Sequence, residues 1–177
     1  FWKHGIKKVS VEEICTNAGT SRVTFYKYFE NKEKLALTIL KDIVADGMKE
    51  YDNILKSDFD YPSKVEKIIS MKMRRSEDLS REFLNDLYGP DFPQIQAYFQ
   101  KVLIENLMIF ENDFRDAQSR GDIRKDIKVE FIMQILNRLT DMTRDESLIA
   151  LYGTSGALIS EFTRFFFYGV VQRERKG

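Results

Sequence analysis

Ser21, Arg22, Thr24, Tyr26 and Lys27 fall within seven residues, and Lys32 follows closely. All six side chains donate hydrogen bonds. Donors of this kind reach phosphate oxygens and base edges: an arginine can take guanine through two hydrogen bonds, and tyrosine or lysine can hold a phosphate. Catalysis has no comparable set. The chain has one histidine, His4, and one cysteine, Cys15, with neither a GxSxG nor an HExxH motif, so no nucleophile, base and orienting group can be assembled. No enzyme is expected. His4 has no second His or Cys at ligand spacing, Glu111, Asp113 and Asp116 would point in different directions from a helix, and the GTSG run at 153–156 lacks the lysine of a phosphate loop. Neither a metal nor a cofactor is expected.

Those donors need a helix to carry them and a second helix to hold it. Ser10 followed by Glu13 is a capping box, with Val9 and Ile14 spaced as a hydrophobic staple, so a helix starts there. Val11, Ile14, Cys15 and Ala18 give it one apolar face, and Gly19 ends it in a left-handed residue. Ser21 caps the next helix after a turn too short for anything but an angled pair. Val23 and Phe29 are expected to bury against the preceding helix, leaving a polar N-terminal end for the major groove. Asn31 caps a third helix, whose free N-terminal amides could hold a phosphate.

The run AGTSRVTFYKYFENKEKL, residues 18–35, resembles the signature of the TetR family of one-component bacterial transcription regulators, roughly A-G-V-S-x-G-T-x-Y-x-Y/H-F-x-x-K-E-x-L. Ala18, Gly19, Ser21, Thr24, Tyr26, Phe29, Lys32, Glu33 and Leu35 agree with it. Thr20 stands where the family has Val or Ile. Val23 replaces a small Gly or Ala that lets the family's helix approach the bases, and leaves an apolar contact with a thymine methyl open. The resemblance implies an all-α protein: a helix-turn-helix DNA-binding domain at 1–45, its first helix truncated, and a helical effector-binding and dimerisation domain at 46–177. It further implies a regulator, in most members a repressor, that binds palindromic operator DNA as a dimer and is released by a small molecule. DNA contacts are expected from Ser21, Arg22, Thr24, Tyr26, Lys27 and Lys32.

The remaining sequence is compatible with that division. Acidic and basic residues balance at 28 each across 177 residues, but residues 1–35 carry seven basic and four acidic groups, a net +3 that leaves −3 for the rest. One cysteine allows no internal disulfide, and no run of 18 apolar residues appears, so a reducing, cytoplasmic location without membrane insertion is expected. The helix from Asn31 should bury Leu35, Ile39 and Ile43 and run on until SDFDYP, 57–62, breaks it. Helices are expected at 63–74, 79–87, 95–121, from Asp126 to about Met142, and from Thr154 or Ser155 to about Arg173, with a polar interruption at TRDESL, 143–148. The last helix is apolar round most of its girth through Phe162, Phe165 and Phe166, so the final two long helices are expected to form a homodimer. Ile68, Met71, Phe99, Leu103, Leu107 and Met133 offer an adaptable apolar lining for an effector, with Asn106 and Asn137 to orient it. A helical adaptor that binds only proteins is the alternative.

Overall fold

A computed structural model describes residues 1–77 and 79–171. Among them nine helices follow one another: α1 (Val11–Asn17), α2 (Arg22–Tyr28), α3 (Lys32–Lys56), α4 (Tyr61–Ser76), α5 (Arg81–Tyr88), α6 (Pro93–Arg120), α7 (Val129–Met142), α8 (Glu146–Tyr152) and α9 (Ser155–Val170). The all-α class follows from side chains that cap locally and bury periodically. Ser10, Ser21, Asp60, Ser80, Asp145 and Thr154 each accept a backbone amide of the helix they open. Gly19 and Gly121 sit just past helix ends with φ of 60° and 89°.

Packing groups the described residues of 1–53 with those of 78–100, and those of 54–77 with those of 101–177. A boundary at 45/46 in chain order does not contain this grouping, because α5 and the start of α6 return to the N-terminal residues. Within the first unit, Ile6, Val9, Cys15, Phe25, Ala36, Leu40, Phe83, Leu84, Leu87 and Ile95 are buried. Ala36, Leu40 and Tyr51 are the buried residues of α3; Leu35 and Ile43 are half-buried and Ile39 is exposed, so the inward stripe is displaced by one position from the expected one. The same unit is tied by polar groups far apart in sequence. Asp86, almost fully buried, accepts the amides of Ile6 (2.5 Å) and Lys7 (3.0 Å) on one carboxylate oxygen. Ser80 donates through its hydroxyl to the Trp2 carbonyl (2.9 Å), and the Trp2 and Phe83 rings stand 4.8 Å apart. Gly5, at φ 81°, lets the chain turn in under α5: a Cβ there would lie 2.7 Å from the Asp86 carboxylate.

In the second unit α4 packs along α9, and α7 and α8 also contact α9. Val65, Ile68, Ile69 and Met71 of α4 are buried, as are Leu158, Phe166, Phe167 and Val170 of α9. Phe114 of α6 joins them, 5.7 Å from the Phe166 ring and 6.4 Å from Phe167. Gly156 makes the α4–α9 approach possible, since a Cβ there would lie 2.1 Å from the Ser76 carbonyl oxygen. Two local expectations are corrected. Asp126 does not cap α7: Lys128 holds that position without a side-chain cap bond, and Asp126 is taken by Arg124 at 2.8 Å. The polar stretch before Leu148 does break the helices, at 143–145, but a helix rather than a short turn follows, because Asp145 accepts the amides of Ser147 (2.9 Å) and Leu148 (3.2 Å) and so starts α8. Helix α9 ends at Val170, where the chain becomes extended and an isolated antiparallel bridge pairs Ile123 with Val171; Arg173, the expected end, lies outside the described residues.

Candidate nucleic-acid interface

The angle between α1 and α2 is set by four residues of turn. Ala18 and Gly19 fold back with Gly19 N donating to Thr16 O (3.2 Å) and Thr20 N to Cys15 O (2.9 Å), after which Ser21 begins α2. The Ser21 hydroxyl oxygen accepts the Thr24 amide at 3.0 Å and shares a hydrogen bond with the Thr24 hydroxyl at 2.9 Å. Both hydroxyls are therefore committed first to fixing the helix start.

Phe25 is the buried side chain of α2, edge-on to Tyr26 at 5.3 Å and tilted on Phe29 at 5.8 Å. This corrects the expected packing: Val23 is 83% exposed and Phe29 is only half-buried. The helical period turns Val23, two positions from Phe25, to the opposite face, and Phe29 already lies past the end of α2 in extended backbone. A seven-residue helix pinned by one aromatic leaves the rest of its surface open. Ser21, Arg22, Thr24, Tyr26 and Lys27 are all exposed, so five of the six expected donors lie together on and beside α2. Tyr28 joins them, 71% exposed with the Lys27 ammonium 5.9 Å from its ring centre. The alternation of aromatic and basic residues in YKY is the sequence signal that would have found it.

Lys32 is placed differently. Its ammonium donates to the carbonyls of Lys7 (2.8 Å) and Val9 (2.9 Å), bracing the chain just ahead of α1 and leaving one of its three N–H groups for another partner. Asn31 caps α3, accepting the Lys34 amide at 2.9 Å. Other cations of this unit are also engaged. Lys7 pairs with Asp91 at 2.6 Å, and that hydrogen bond, with the carboxylate's charge, raises the Lys7 ammonium above its usual range. Lys8 pairs with Glu82 at 3.3 Å. The Glu82 carboxyl lies below its usual range, first through a backbone hydrogen bond and then through Lys8.

The expected effector residues do not form one group. Phe99 belongs to the first unit, edge-on to Tyr88 at 5.1 Å, whereas Ile68, Met71, Leu103, Asn106, Leu107, Met133 and Asn137 belong to the second. Ile68 and Met71 are buried, Leu103, Asn106, Leu107 and Met133 half-buried, and Asn137 exposed. Polar side chains that sequence reasoning passed over lie deeper. Burial, reinforced by Asp122, pushes the Tyr61 hydroxyl well above its usual range, and the buried Ser155 hydroxyl has no hydrogen-bond partner among the described residues. His4 is exposed, and no group of three or more potential metal ligands occurs among the described residues.

Comparison with known proteins bears on this arrangement. The family model described as "Bacterial regulatory proteins, tetR family" matches residues 1–39. An uncharacterised HTH-type transcriptional regulator of Bacillus subtilis, YerO, is 27% identical over 126 residues, which is 68% of this chain and 44% of that protein, so the chain spans less than half of that relative. Regulatory protein TetR from Rhodobacter sphaeroides superposes with a TM-score of 0.72 at 20% identity, over 96% of this chain and 92% of the other. The fatty acid degradation regulator FadR from Bacillus halodurans does so with a TM-score of 0.68 at 17% identity, over 97% and 90%. The family model falls on the helix-turn-helix just described, and the fold likeness extends over nearly the whole length. The N-terminal helix-turn-helix is thus similar to that of the tetR family, and the whole chain shares the fold of these regulators.

Proposed function

We propose that the protein is a one-component repressor that binds a palindromic operator as a homodimer, with one α2 in the major groove of each half-site. The observation that carries this reading is α2 itself: one buried side chain, Phe25, and a continuous exposed set of Arg22, Thr24, Tyr26 and Lys27. Arg22 reads a base edge, while Tyr26 and Lys27 hold phosphates. Ser21 and Lys32 act mainly by position, the first as the cap of α2 and the second through its hold on the residues ahead of α1. Exposed Phe131 and Met142 on α7, with Phe165 and Tyr168 on α9, supply apolar surface for a partner subunit. A mostly apolar effector binds in the second unit near Ile68, Met71, Leu103 and Leu107 and favours the dimer geometry that does not fit DNA. A repressor acts in the cytoplasm, and no described helix is long and apolar enough to cross a membrane. A purely protein-binding adaptor is not favoured, since it leaves the donors of α2 without a role.

The test is binding, followed by anisotropy, to a duplex that the protein enriches from a random-sequence pool. Arg22→Ala should relax preference at one or two base pairs, whereas Lys27→Ala should weaken all sequences alike and lower the salt slope by about one. Failure to enrich any duplex, or unchanged binding by both variants, overturns the reading. Fatty acids are the first effector probe, because the Bacillus halodurans protein of the same fold regulates fatty acid degradation.

A further inference from the structure

The outward face of α2 carries one apolar side chain among polar ones, and its position is informative. Val23 and Lys27 lie two residues either side of Phe25, each about 160° round the helix axis from it, so they centre the face opposite the buried ring. Val23 is 83% exposed. Nothing in folding calls for it there. It packs against no core, and a β-branched residue lowers helix propensity relative to Ala or Leu. Isolated exposed apolar residues are common on protein surfaces, so exposure by itself decides nothing. The surroundings decide it. Val23 stands between Arg22 and Thr24 and one turn before Lys27, all exposed, on a face whose cations suit a polyanion.

We propose that Val23 is a specificity-determining residue that reads the 5-methyl group of a thymine in the major groove. The proposal rests on the reading of α2 as the DNA-contacting helix. Thymine is the base that presents an apolar group on its major-groove edge, and the two γ-methyls of Val23 are the apolar atoms available to meet it. Arg22 and Lys27, fixed to phosphates or base edges beside it, would exclude water from the contact. A valine also holds the helix backbone further from the base edges than glycine or alanine would, so discrimination at this position comes through the methyl contact.

The experiment uses the full chain and a duplex enriched by it from a random pool, with each thymine replaced in turn by deoxyuridine, which removes only the methyl. At one or two positions per half-site the substitution should weaken wild-type binding about fourfold, the effect of one buried methyl-sized group. Val23→Ala should bind the thymine duplex about fourfold more weakly and be indifferent to deoxyuridine at those positions. Val23→Thr, which keeps one methyl, should fall between them. Because Val23 is exposed, both variants should melt like wild type, which separates lost contact from lost fold. If wild type tolerates every replacement, or Val23→Ala keeps full sensitivity to deoxyuridine, the assignment of Val23 is wrong while DNA binding stands. If no duplex is enriched, both readings fall.

Discussion

The first unit is fastened by polar groups that reach across long stretches of chain, and the second is closed by tilted and edge-on aromatic rings and a glycine. In the first, Asp86 holds two amides, Ser80 holds the Trp2 carbonyl, and Lys32 holds two carbonyls. In the second, Phe114 meets Phe166 and Phe167, and Gly156 lets α9 lie against the Ser76 carbonyl. Helices of seven residues such as α1 and α2, each with one buried side chain, remove too little apolar surface from water to fix themselves. Their orientation depends on directional bonds from elsewhere. Helices of 14 to 16 residues, such as α4, α7 and α9 of the second unit, depend on such bonds less, because they bury more area.

The sharpest way to break this contrast is to remove the tethers together. A fragment of residues 1–53, lacking the 78–100 stretch that packs with it, should show no cooperative melting and little helix by circular dichroism; a stably folded fragment would mean that the long-range bonds are dispensable. Asp86→Ala comes next. Leaving the Ile6 and Lys7 amides without their acceptor should cost about 2–4 kcal/mol, read by urea unfolding, and should impair DNA binding although Asp86 is not on α2. For the second unit, Gly156→Ala should cost about 1–3 kcal/mol by forcing α9 away from α4, whereas Gly19→Asn, at a φ that Asn tolerates with open space around it, should cost a few tenths.

The smallest effect expected is electrostatic. The folded-state pKa of Glu82 is depressed, so the stabilisation it contributes is present above the ordinary carboxylate pKa and is lost as pH falls through the lower folded value. Glu82→Gln should therefore flatten the melting temperature's dependence on pH between about pH 5 and pH 3. The pair with Lys8 is largely exposed, so the change at neutral pH should be near the limit of measurement.

What could be read from the sequence was whatever the chain settles within a few residues. Ser10, Ser21 and Thr154 cap their helices, and Gly19 and Gly121 turn left-handed, because each depends on an amide or a backbone angle close by. Longer reach was lost. Asp86 sits in REFLNDLY like any solvated acid of a short amphipathic helix, and nothing in that segment announces that its carboxylate meets residues 80 positions earlier. Val23 and Phe25 are both apolar and two residues apart, so choosing which one faces inward required the α1–α2 angle. Asp126 was a sound cap in type, but Arg124 competes for the same oxygens. Five of the six donors at 21–32 lie together on and beside α2, as their spacing allowed; the diversion of Lys32 to two carbonyls, which needs residues 7 and 9 folded beneath it, was not legible.

The long separation between Asp86 and the amides it holds also has a consequence in time. During synthesis, Ile6 and Lys7 are made 80 and 79 residues before their acceptor, which at roughly 5–20 residues per second is a delay of about 4 to 16 s. For that interval the helix-turn-helix segment exists without the groups that fix it. The earlier-made of the two segments is therefore completed late, and a nascent chain stalled before Ser80 should expose Trp2 and Cys15 to labelling that the finished protein resists.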